Sequence, residues 1–266
     1  MEKKKTDVKF LIVFLAALAV FVYAAVQLGI IFMEYYKGEQ TYGRLEGFTV
    51  FTEAGSSNGE LPQEEEAQPE AFSVDFAGLK QINSDIVGWI RFENMNISYP
   101  IVQGEDNDYY LTHTFDHQEI KCGSIFMEAE NAADFSDNNT FVYGHNMKDT
   151  SMFAKLNKFV NEEVYLDNPE FLIYTEDNIY RYEIFSCYQG KVDSDSFLYQ
   201  FSSQEKYAEW QKTVKSRSYY DTGVVPSPEQ KTVTLMTCTS AGEEYRFLVH
   251  GVLAETIPVT GDTQAE

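Results

Sequence analysis

Thr232-Val233-Thr234-Leu235-Met236-Thr237-Cys238 sets Val233, Leu235 and Thr237 on one side of an extended chain and Thr232, Thr234 and Met236 on the other. That alternation has the period of a β-strand. It breaks at Cys238-Thr239-Ser240-Ala241-Gly242, and a second alternating run begins at Tyr245 and reaches Leu253. Two strands joined by a short polar loop are the expected structure. Cys238 ends the first strand and Arg246 lies near the start of the second, so a thiol and a guanidinium face one another across a strand pair. A thiol attacks efficiently only as thiolate, which needs a nearby base or cation, and the oxyanion formed on attack needs a positive donor. His145, in Tyr143-Gly144-His145-Asn146-Met147 at the end of the apolar run from Thr140, is the candidate base.

Working outward, strands are expected at Val87–Phe92, Ile97–Val102, Gly123–Glu128, Thr140–Tyr143, Phe171–Thr175 and Ile179–Tyr188. A short helix is expected around Phe76–Asn83, and two longer ones at Ser151–Val160 and from Ser203 to about Arg217. Many strands with few helices point to a mainly β fold, a barrel or a sandwich.

The TLxTC strand end, the YGHNM segment and the downstream strand arginine together resemble the active site of the sortases, cysteine transpeptidases of Gram-positive bacteria. Leu79-Lys80-Gln81-Ile82-Asn83, Ile86-Val87-Gly88-Trp89-Ile90, Tyr99-Pro100-Ile101-Val102-Gln103 and Tyr109-Tyr110-Leu111 are similar to the N-terminal part of class B sortases, as is the long helix before the cysteine strand. The resemblance runs from about Phe72 to Thr256. It implies a closed sortase-type β-barrel of about eight strands, with N-terminal helices and that long helix. It also implies a cycle. Cys238 cleaves a C-terminal sorting signal of LPXTG, NPXTN or PPXTG type after Thr, and a thioacyl enzyme passes the protein to a peptidoglycan-precursor amine, lipid II-like. His145 is then general acid and base, and Arg246 holds the oxyanion or the substrate backbone. The implied substrate contacts are Thr237, Met236, the main chain of Thr239, and Asn146, which could also orient His145. Class B members often have serine where this chain has Met236, so a more apolar wall is expected. Ser240 stands where some carry aspartate, so no acidic third member carries over. No metal or organic cofactor is implied. Three alternatives stay open: a pilin-polymerising sortase with a lysine acceptor, a plain cysteine protease, and a catalytically silent wall-binding module.

Phe10 to Met33 contains no charged residue, and as a helix spans roughly 36 Å at about 1.5 Å per residue, enough to cross the hydrocarbon core of a membrane. Lys3, Lys4, Lys5 and Lys9 precede it, so residues 1–9 are expected in the cytoplasm, 10–33 as a transmembrane signal anchor, and the rest outside the cell. Residues 34–71 are expected to be a juxtamembrane segment and an acidic linker acting as a stalk: from Glu53 to Ala71 there are six glutamates and no basic residue. Residues 72–257 would form the catalytic domain and 258–266 a tail. The net charge of −22, with 42 acidic against 20 basic residues, argues against a nucleic-acid partner. Three cysteines, Cys122, Cys187 and Cys238, do not make an even disulfide framework, and a Cys122–Cys187 bridge stays open. Ile257-Pro258-Val259-Thr260-Gly261 has the form of a sorting pentapeptide but is read as coincidence, since the second strand carries it away from Cys238.

Overall fold

A computed structural model describes residues 8–52 and 71–259, in two units that divide at Gly43. The first is a single helix, α1 (Val8–Gly43). From Phe10 to Met33 its apolar residues point in all directions rather than along one stripe, and all are exposed. Among the described residues it is the one helix long and apolar enough to cross a membrane.

The second unit opens with a 3-10 turn at Arg44–Phe48 and strand β1 (Thr49–Thr52), which pairs antiparallel with β2 (Ala71–Val74), Thr52 opposite Ala71. Phe72 of β2 packs on Trp89 and Tyr174, and the Arg91 guanidinium lies 4.6 Å from the Phe72 ring centre. The compact unit starts at Arg44, upstream of the expected catalytic domain 72–257. Both flanks of the expected acidic linker are strands of one sheet, and residues 53–70 lie outside the described residues.

Helix α2 (Phe76–Ile82) starts where the Asp75 carboxylate accepts from Gly78 N–H, and buries Phe76 and Leu79. Strands β3 (Ile86–Phe92), β4 (Ile97–Val102), β5 (Ile125–Met127) and β6 (Asn139–Tyr143) follow. The helix expected over Ser151–Val160 is instead a 3-10 turn at Ala154–Val160, which runs into a short α3 (Glu162–Asp167) that the apolar spacing did not reveal. Then come β7 (Glu170–Tyr174), β8 (Asn178–Lys191), α4 (Gln204–Ser216), β9 (Thr232–Cys238) and β10 (Tyr245–Pro258).

Eight strands close a barrel in the order β10-β8-β7-β3-β4-β5-β6-β9. Two neighbouring pairs are parallel, β4 with β5 and β6 with β9, and the other barrel pairs are antiparallel. Parallel strands need a long crossover, and here the crossover from β6 to β9 carries α3, β7, β8 and α4. Ser203 caps α4, accepting from Lys206 N–H, and the helix lays Tyr207, Trp210 and Val214 on Phe141, Phe185, Tyr188 and Leu248 of the barrel wall. Burial of each such side chain stabilises by about 1.5–3 kcal/mol. Ile257 and Pro258 extend the β10–β8 ladder opposite Ile179 and Asn178, so the pentapeptide begins inside the sheet. Cys122 and Cys187 are both buried free thiols.

Candidate active site

Cys238 is the last residue of β9, and Arg246 lies directly opposite it on β10. On the other flank β6 runs parallel to β9, with Tyr143 level with Met236 and Gly144 N–H donating to Met236 O at 3.1 Å. His145 lies two residues beyond Tyr143, past the end of β6, and lines the same cleft as Cys238. Parallel pairing thus brings the C-terminal ends of β6 and β9 to one rim, with neighbouring strands about 4.8 Å apart. The cysteine stands between the histidine and the arginine. The arginine is on the adjacent strand β10 and the histidine just past the end of the adjacent strand β6.

The alternation of main-chain hydrogen bonds fixes the Arg246 side. Leu253 N–H bonds to Lys231 O at 2.9 Å, so hydrogen-bonded pairs fall at every second rung from there, and Cys238/Arg246 is an intervening, non-bonded pair. Side chains in such a pair share a face with Cβ atoms about 4.5–5.5 Å apart. Arg246 Nη1 donates to the carbonyls of Glu243 (2.6 Å) and Tyr245 (2.9 Å). Main-chain oxygens rather than the Glu243 or Glu244 carboxylates hold the guanidinium, which leaves its charge uncancelled at the rim.

His145 is tied down through its neighbours. Its ring Nε2–H donates to Leu111 O at 2.7 Å, and since a carbonyl has no proton to give, the neutral ring carries its proton on Nε2 and leaves Nδ1 as the acceptor. Phe153 N–H bonds to His145 O, Asn146 bridges to Met152, and Met152 N–H donates to the Tyr99 hydroxyl. Thr150 and Met152 have φ of 68° and 53°, a left-handed backbone that non-glycine residues adopt at a cost. At Gly144 an added Cβ would come within 2.5 Å of Ile125 Cδ1 and 2.7 Å of the Phe153 ring, so only glycine lets β6 pass this close.

A cleft of about 270 Å3 opens over Cys238, His145 and Arg246. Leu111, Phe126 and Met236 form an apolar wall, with Thr237 and Tyr143 beside it and Asn107 at a polar edge. The Tyr143 hydroxyl donates to Glu128 Oε2 at 2.5 Å, and Asn107 Nδ2 donates to Glu128 Oε1 at 2.6 Å. Burial and then the Glu128 carboxylate push the Tyr143 hydroxyl well above its ordinary range, so it stays a donor. Ala129 N–H bonds to Asn107 Oδ1, which completes the grip on that amide.

Of the residues expected from sequence, Cys238, His145, Arg246, Thr237 and Met236 meet around one cleft. Thr239 and Asn146 are not in its lining. Asn146 is exposed, and the ring contact of His145 goes to Leu111 O instead of to the Asn146 side chain. Asn107, Glu128 and Leu111 were not expected as site residues. Asn107 was hidden in the run Glu105-Asp106-Asn107-Asp108, which reads as a solvated loop, and an uncharged amide among carboxylates was its only signal.

The sortase-domain family profile matches residues 90–254. Sortase B of Listeria monocytogenes is 32% identical over 245 residues, spanning 90% of this chain and 94% of that protein. Among solved structures, sortase B from B. anthracis in complex with AAEK1 is 32% identical and superposes with a TM-score of 0.70 over 84% of this chain and 99% of its own. A Staphylococcus aureus sortase B–substrate complex is 28% identical, with a TM-score of 0.64 over 70% of this chain and 86% of its own.

Proposed function

The chain belongs to the sortase family, in its class B branch, and is a cysteine transpeptidase; on that premise we propose that Cys238, His145 and Arg246 carry the reaction on a C-terminal sorting signal. His145 Nδ1 takes the Cys238 thiol proton, and the thiolate attacks the carbonyl of the threonine in an LPXTG-, NPXTN- or PPXTG-like signal. The oxyanion is held by the Arg246 guanidinium and the Thr239 N–H. His145, as general acid, gives a proton to the departing amine, and a thioester joins the threonine carbonyl to Sγ. The amine of a lipid II-like peptidoglycan precursor then attacks the thioester, His145 takes its proton, and collapse of the second tetrahedral adduct makes the amide and frees the thiolate. The observation that carries this reading is one cleft lined by Cys238, by His145 just past the end of β6, and by Arg246 directly opposite the cysteine on β10.

The apolar wall of Leu111, Phe126 and Met236 suits the unbranched or aliphatic side chains of such a signal, and the Asn107 edge offers an amide to its polar end. We assign α1 as the membrane anchor, with the lysine-flanked N-terminus inside and the unit from Arg44 outside, where exported clients and wall precursors meet.

The full-length protein in detergent, beside Cys238→Ala, is incubated with LPXTG, NPXTN and PPXTG peptides, with and without a glycine or diaminopimelate amine, and products are weighed by mass spectrometry. Cleavage after Thr with an amine adduct, absent from the variant, is the expected result. Hydrolysis that no amine diverts would replace the transpeptidation cycle with that of a protease. Absence of any thioacyl species would sink the assignment of Cys238.

A further inference from the structure

We infer that Asn157, on the 3-10 turn before α3, is a positioning residue: by holding the Cys238 carbonyl it aims the Thr239 N–H at the oxyanion. The inference rests on Cys238 being the nucleophile. Asn157 Nδ2 donates to Cys238 O at 3.1 Å and to Ala154 O at 3.4 Å. Both acceptors are carbonyl oxygens, so the amide nitrogen must face them.

The Cys238 carbonyl and the Thr239 N–H are two ends of one peptide plane. In a trans peptide they point in opposite directions, and fixing one fixes the other. The sheet defines those directions. Cys238/Arg246 is a non-bonded pair, so the Cys238 carbonyl faces away from β10, while Val192 N–H on Glu244 O (3.0 Å) agrees that Arg246 turns its own main chain toward β8. The non-bonded Cys238/Arg246 rung turns the Thr239 N–H toward Tyr245 O, on the arginine's side of the nucleophile. There Tyr245 O accepts from Arg246 Nη1, and Tyr245 N–H goes to Gly242 O at 3.2 Å. At this rung the strand ends, and the Asn157 amide holds the peptide from its carbonyl end.

Two reactions of Cys238 separate aiming from reactivity. Alkylation by iodoacetamide forms no oxyanion, whereas acylation by a sorting peptide does. Cys122 and Cys187 stay silent in the first, because burial pushes both thiols up to about 12. Full-length Asn157→Ala and the isosteric Asn157→Asp are compared with wild type and with Thr239→Pro, which deletes the N–H itself. Loss of one oxyanion donor lowers kcat about 10²–10³-fold, so Thr239→Pro sets the floor. Asn157→Ala is expected to lose about tenfold or more in single-turnover acylation. Asn157→Asp, which turns a carboxylate oxygen on the carbonyl, should lose more. In both, KM for the peptide and the alkylation rate stay within about twofold of wild type. Unchanged acylation, or alkylation and acylation falling together, overturns the inference. A wild-type enzyme that alkylates but acylates with no LPXTG, NPXTN or PPXTG peptide overturns the catalytic reading beneath it.

Discussion

His250 gives the sharpest quantitative expectation. It lies on β10, wholly buried, with its ring centre 5.4 Å from Tyr188 and 5.6 Å from Trp210 of α4. The Thr234 hydroxyl donates to Asn139 Oδ1, so it accepts from His250 Nδ1–H at 2.9 Å, and the bare Nε2 lone pair faces a cage without a partner. A proton added there would have no acceptor. Burial, and then the nearby Arg217 charge, push its pKa down to about 3. In the unfolded chain it titrates near about 6.5. The unfolded state therefore binds the extra proton first as pH falls, and stability is lost between about 6.5 and about 3, while above 6.5 the group has no effect. From pH 7 to pH 5 the loss is about 2 kcal/mol. The measurement is urea unfolding of the full-length protein and of His250→Gln at both pH values. Carboxylates titrate alike in the two proteins and cancel in the difference. The wild type is expected to be the more stable at pH 7, and that margin should shrink by about 2 kcal/mol at pH 5. A margin equal at the two pH values would falsify the caged-lone-pair argument.

Arg246→Lys keeps the charge but loses the fork that Glu243 O and Tyr245 O hold in place; kcat/KM for a sorting peptide should fall about 10²–10³-fold with little change in the melting temperature. Gly144→Ala drives a methyl into Ile125 and Phe153. It should cost about 1–3 kcal/mol in denaturant titration and slow acylation as His145 is displaced, and wild-type rates at normal stability would contradict the close approach. The Cys187 thiol, pushed up to about 12 by burial, stays protonated in the fold while the unfolded chain ionises near about 8.5. Stability should therefore decline with rising pH across that window by up to about 1.4 kcal/mol per unit, and Cys187→Ala should show a correspondingly shallower alkaline slope.

The barrel was largely legible because its strands carry their own period. Ile97–Val102 matches end to end, and α4 begins at the serine that caps it. The three candidate catalytic residues were legible because each lies at or just beyond the end or start of a periodic run. What escaped has a physical reason in each case. The strands β1 and β2 are four residues each, too short for alternation to register, and they pair across an intervening acidic segment. The 3-10 turn at Ala154–Val160 was read as α-helix because apolar residues three apart suit both. Leu111 acts on His145 through its carbonyl, and a main-chain contact leaves no mark on side-chain identity. Asn157 acts through a peptide plane eighty-one positions away in sequence.

Thr52 pairs with Ala71, so the chain on either side of residues 53–70 belongs to one sheet of the second unit. A single protease cut between Thr52 and Ala71 would leave two pieces still joined by the β1–β2 ladder and by Phe51 on Phe72, so a nicked chain is expected to run as one species until it is denatured.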